Sequence, residues 1–133
     1  MRWFGATVVA AAALVAAAFA FAGPGGGAGR GAYALVDPHG GSPVLVASHT
    51  SGFVAVDSPF PGDYCLTPAE GVNVVDTAAV ASMEAFYSDA IGVVTVRYQP
   101  SHPNCTASQL EVKTFDPAGG FLLANVAFTV QVP

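Results

Sequence analysis

From Ala32 onward apolar and polar residues alternate in short runs, each closed by turn formers. AYALVD gives way to PHGG and then SPVLVAS, GFVAVDS to PFPG and then DYCLTP, QLEVKTFD to PAGG, and the chain ends on NVAFTVQV. Alternation sends successive side chains to opposite faces of a strand, so half of each run is available for a core. In the last run Val126, Phe128, Val130 and Val132 share one face, while Ala127, Thr129 and Gln131 share the other. In QLEVKTF, Leu110, Val112 and Thr114 oppose Glu111, Lys113 and Phe115. One face buried and one wet describes an antiparallel sheet packed on a second sheet. The expected fold is all-β, a single antiparallel β-sandwich of about seven or eight strands across residues 32–133.

TAAVASMEAFYSDA, residues 77–90, is the one segment with helical propensity, and Asp76-Thr77 could cap a helix there. The β character of its surroundings favours a strand. Val36-Asp37-Pro38-His39-Gly40-Gly41 and Phe115-Asp116-Pro117-Ala118-Gly119-Gly120 repeat one pattern. Asp bonds the backbone ahead, Pro presets φ and Gly accepts a positive φ, so both read as turn modules.

The first residues follow a different logic. Met1-Arg2 precedes an apolar, alanine-rich run that ends in small residues, the form of a secretory signal peptide over residues 1–22. Cleavage after Ala20 or after Ala22 satisfies the small-x-small rule. A retained membrane helix is the rival reading, since the run approaches the roughly 20 residues a bilayer requires. GPGGGAGRG, residues 23–31, is too glycine-rich to order and reads as a flexible tether. No strand precedes it and no Gly-Lys-Ser/Thr follows, so it is not a phosphate loop. After cleavage no membrane span is expected, and the destination is extracellular or the cell envelope.

Charge excludes one class of partner. Beyond the tether the only cations are Arg97 and Lys113, set against all nine carboxylates. Such a surface repels phosphate backbones, so nucleic acid is not an expected partner.

Two cysteines, Cys65 and Cys105, in an exported domain of this size most simply form a disulfide. A reactive thiol needs a cation or helix N-terminus to lower its pKa, and Cys65 has Asp63 beside it. With Tyr64 and Leu66 on the core side, the bridge would lie across the outer face of its sheet or tie a loop to it. His39, His49 and His102 each sit in or beside a turn, without the close spacing of zinc ligands. The carboxylates are spread singly over strand ends and turns, which reads as dispersed surface acids. No D-x-D-x-D-G calcium loop and no G-x-S-x-G elbow occur. Catalytic residues, metal ligands and cofactors are therefore not assigned. Phe60, between Pro59 and Pro61, is the candidate partner contact, an aromatic on a stiff loop.

SGFVAVDSPFPGDYCLTP, VVTVRYQ, Cys105, EVKTFDPAGG and the closing VAFTVQV together resemble a type of small secreted β-domain of high-GC actinobacteria. Similar modules end collagen-like and tail-fibre-like bacterial chains. The resemblance implies a fold and an exported location and brings no catalytic residues. The expected function is that of a secreted, non-catalytic module that binds an extracellular or envelope partner or contributes to a surface structure. The alternative is a small extracellular hydrolase or metal-dependent binder using His39, His49 or His102 with acids at one end of the sandwich.

Overall fold

The alternating runs fold as strands. The computed structural model describes residues 31–39, 42–88, 91–97, 104–119 and 122–133, without the side chains of Arg97 and Leu122. The signal segment, the tether before Gly31, Asp89 and His102 lie outside these residues. The strands are β1 (Ala32–Asp37), β2 (Val44–Leu45), β3 (Phe53–Phe60), β4 (Asp63–Pro68), β5 (Val80–Met83), β6 (Val93–Arg97), β7 (Leu110–Asp116), β8 (Leu122–Leu123) and β9 (Phe128–Val132), with a 3₁₀ turn at Ala47–His49. They form two antiparallel sheets, ordered β2-β1-β9-β5 and β3-β4-β7-β6, with the short β8 also paired to β7. The expected all-β sandwich is the fold.

Among its described residues the segment 77–90 is a strand only at Val80–Met83, which adds to the free edge of β9. The Asp-Pro turn modules behave alike where described. Asp37 Oδ1 accepts from the His39 amide at 2.9 Å, and Asp116 Oδ1 accepts from the Ala118 amide at 2.8 Å.

The core lies between the sheets. Ala34 and Val36 of β1 and Phe128, Val130 and Val132 of β9 meet Tyr64 and Leu66 of β4 and Leu110 and Val112 of β7. In β9 and β7 these are the apolar faces that alternation separates from the polar ones. Tyr64 and Phe128 join the two layers, their ring centroids 5.1 Å apart and tilted by 56°. Such a pair adds roughly 0.5–1.5 kcal/mol to the burial of the rings themselves.

Tyr64 donates its hydroxyl to Asn125 Oδ1 at 3.0 Å. Burial pushes that hydroxyl up to about 12 from its ordinary 10.0, and hydrogen bonding with Thr114 and Gly62 offsets only part of the effect. The folded protein therefore keeps a proton that the unfolded chain releases. The resulting stabilisation is complete below pH 10.0 and is lost as pH rises through about 12. Two pKa units correspond to about 3 kcal/mol. Urea midpoints followed upward through this interval should fall, and should fall less for Tyr64→Phe.

The hairpin between β3 and β4 turns at Pro61-Gly62, where Gly62 has φ +75°. A Cβ there would stand 2.6 Å from the Ala124 amide nitrogen and 2.7 Å from the Thr114 carbonyl oxygen. The crowding comes from a change of partners along β7. Its residues 110–113 pair with β4, and on the same edge Phe115 and Asp116 pair with β8. Thr114, between them, donates its amide to Gly62 and accepts from the Ala124 amide.

One sequence expectation needs correction. Asp63, Glu111 and Lys113 do lie on the outer face of their sheet, but that face is not wet. Asp63 and Glu111 are buried. The segment that begins at Asn104 is tied across them. Cys105 is bonded to Cys65, Asn104 Nδ2 donates to Asp63 Oδ2 at 2.7 Å, and Gln109 Nε2 donates to Thr67 Oγ1 at 3.0 Å. The acids are thus not uniformly dispersed over the surface.

Candidate functional site

Two places gather chemistry, one on the outer face of each sheet. The first is a groove across β1 and β9. Antiparallel partners share a face, so the pairs Tyr33–Gln131 and Leu35–Thr129 line its floor. Ser48 and His49, from the 3₁₀ turn, form one wall, and Glu84, Phe86 and Tyr87, after β5, form the other. The recess is about 470 Å³. A second depression of about 530 Å³ adjoins it, lined by Tyr33 and Gln131 again and by Ala78, Val80 and Val132. The two depressions share Tyr33 and Gln131, and together they are called the trough below.

The wall after β5 is held by its own backbone. The Glu84 amide donates to the Ala127 carbonyl at 2.9 Å, and the Tyr87 amide donates to Glu84 Oε2 at 2.8 Å. Ser88 Oγ donates to the Glu84 carbonyl and accepts from the Ala127 amide. The tight turn leaves Phe86 projecting, 84% exposed, edge-on to Tyr87 with centroids 5.2 Å apart. Tyr33 is 49% exposed. Three aromatic rings with a few polar groups between them make the usual composition of a small-molecule site.

The second place lies beneath the disulfide. Asp63 is the register partner of Lys113 and Cys65 of Glu111, and on the other side of β7 Thr95 faces Lys113 and Arg97 faces Glu111. Lys113 Nζ is 2.7 Å from Asp63 Oδ2 and 3.1 Å from Glu111 Oε1. Burial alone would raise the Asp63 carboxyl, but hydrogen bonds from Lys113 and Asn104 outweigh it and hold the group below its ordinary value. Burial would likewise lower the Lys113 ammonium, and its bonds to Asp63 and Glu111 raise it instead.

Asp63, Cys105 and Glu111 bring ligand atoms within 4.8 Å of one another. They suit a metal poorly, because the Cys105 sulfur is in the disulfide and the Lys113 ammonium already bridges the two carboxylates. A cation would have to displace that ammonium.

The sequence-assigned residues fall as follows. Cys65 and Cys105 form the disulfide, with their Cα atoms 5.4 Å apart. Phe60 ends β3 and is 55% exposed, beside a small recess of about 160 Å³ lined by Pro38, Pro43, Pro59, Pro61, Tyr64 and Asn125. It belongs to neither of the two places above. His39 Nδ1 is 2.6 Å from Asp37 Oδ1, and His49 Nδ1 is 2.9 Å from Ser48 Oγ. The two histidines therefore stand with different partners. Sequence reasoning missed the groove altogether. Tyr33 and Gln131 had a signal, as outward positions on strands destined to pair, but nothing in the sequence marks Phe86 as exposed.

Among the described residues no helix is long and apolar enough to cross a membrane. Comparison with known protein families, with curated proteins and with solved structures finds no match for the chain.

Proposed function

We propose that the chain is an exported, non-catalytic binding domain that holds an extended, uncharged glycan of the cell envelope or its surroundings in the trough on β1 and β9. The observation that carries this reading is the juxtaposition of Tyr33, Phe86 and Tyr87 with Ser48, Thr129 and Gln131 in one open groove. Sugar C–H bonds present partial positive charge to the negative face of an aromatic ring, and hydroxyl groups need donors and acceptors beside it. Two depressions side by side, sharing Tyr33 and Gln131, suit a chain of sugar residues better than a single ring. Export is supported by the N-terminal signal pattern and by the disulfide, a bond typical of oxidising compartments.

Titration calorimetry against a panel of soluble neutral polysaccharides tests the reading. At least one should bind, and Tyr33→Ala and Phe86→Ala should each weaken it about tenfold, equivalent to about 1.4 kcal/mol. No binding across the panel, or binding indifferent to both substitutions, would sink the proposal.

One observation favours the hydrolytic alternative: Ser48, His49 and Glu84 line the same groove. It requires that the panel polysaccharides or simple esters be cleaved, and that Glu84→Gln stop the cleavage. Binding without turnover leaves the non-catalytic reading in place.

A further inference from the structure

The cluster beneath the disulfide holds the two halves of an amide. We propose that the Lys113 amine and the Asp63 carboxyl condense into an intramolecular amide, with Glu111 carrying the protons, so that β4 and β7 become joined through their side chains.

Geometry supplies the first argument. Nζ and Oδ2 are already at 2.7 Å, and the two residues are register partners on neighbouring strands. Both strands are interior to their sheet, β4 between β3 and β7, and β7 between β4 and β6. Neither reactant can drift away, which is the condition under which intramolecular reactions reach very high effective concentrations.

Burial supplies the second. Lysine and carboxylate normally remain an ion pair because water solvates both charges. Here the Asp63 side chain is 0% exposed and that of Lys113 11%. Buried charges carry a desolvation penalty that a neutral amide does not. Condensation also releases its water from a site the Cys65–Cys105 bridge covers.

The oxygens of Asp63 supply the third. Oδ2 accepts from both Lys113 and Asn104, each at 2.7 Å. Oδ1 is buried without a hydrogen-bond partner among the described residues. A structural ion pair as dry as this one normally satisfies every lone pair. An oxygen held on one side only is arranged to become the carbonyl, and its bare twin to leave.

The step balances without any co-reactant. Glu111 moves one proton from the Lys113 ammonium to Asp63 Oδ1, giving a free amine and a neutral acid. The Nζ electron pair forms a bond to Cγ, and the carbonyl electrons move onto Oδ2, where Asn104 donates. Glu111 then takes a second proton from Nζ and passes it to Oδ1, which departs as water while the carbonyl re-forms on Oδ2. An ammonium and a carboxylate become an amide and one water, and Glu111 ends ionised as it began.

Mass spectrometry tests this directly. The full chain, produced through its own export signal, is reduced, denatured and weighed against the mass its processed sequence requires. The expected result is a mass lower by one water, with the Asp63 and Lys113 peptides still joined after reduction and proteolysis. Glu111→Gln and Lys113→Arg should each restore the unreacted mass. Two separate peptides and no missing water in the wild-type chain would overturn the proposal. So would a water loss that persists in Lys113→Arg, since the amine would then have no part in it. Should the variants not fold, the branched peptide in the wild-type chain decides alone.

Discussion

Against a wild-type chain in which Asp63 and Lys113 are still an ion pair, Lys113→Ala is expected to destabilise the domain by about 3–5 kcal/mol, the usual loss when one partner of a buried ion pair is removed. The reason is what stays behind. Asp63 and Glu111 are both buried and face each other across the space the ammonium filled. With Lys113 gone they repel, and neither can reach bulk water while the disulfide holds Asn104 above them. One of the two must take up a proton at neutral pH or the covering segment must lift. Urea denaturation at neutral pH measures the loss as a lowered midpoint with little change in slope. A companion variant separates an orphaned charge from a lost contact. Lys113→Met combined with Asp63→Asn and Glu111→Gln removes every charge together and should recover most of the stability. Equal losses in the two variants would show that packing, and not the buried charges, sets the magnitude.

Removal of the disulfide by Cys65→Ser with Cys105→Ser is expected to have a comparable effect. The residues are 40 apart in sequence. A loop of that length contributes about 4 kcal/mol in the chain-entropy model. The bridge has a second consequence, because it also keeps the outer face of β4 and β7 dry. Without it, water reaches Asp63 and Glu111, and Lys113→Ala should then be milder. The two effects should therefore be less than additive, by an amount a double-mutant cycle reads directly. Strict additivity would mean that the covering segment stays in place without its covalent tie.

These two results bear on what could be read from the sequence. Period-two alternation located the interior faces of β9 and β7 residue by residue, from Phe128 to Val132 and from Leu110 to Thr114, because a strand has only two faces. It failed before β9, where Val126 and Ala127 are both buried. The same rule placed Asp63, Cys65, Glu111 and Lys113 together on the outer face, and there it misled, since outer was equated with wet. Whether an outer face is covered depends on where a loop lies, and no periodicity encodes that. Two signals were available. Asp63 stands two residues before Cys65, and Lys113 two after Glu111, so a disulfide at Cys65 must pass near all of them. Only two cations follow the tether, and in the register one faces Asp63 and the other Glu111. The groove was harder to foresee. Tyr33, Phe86 and Gln131 come from opposite ends and the middle of the domain and meet only because β1, β5 and β9 are neighbours.

The pairing of β1 with β9 also determines how the domain responds to being pulled. Ala32 is the register partner of Val132, so the two ends of the described fold leave side by side from one corner of one sheet. Tension applied between Gly31 and Pro133 would open that pair from its end, loading one set of hydrogen bonds at a time rather than the whole ladder in shear. The sheet that carries the Cys65–Cys105 bridge would bear no force until β1 and β9 had already parted. Against a pull between its ends, the domain yields early in one layer and keeps the other intact.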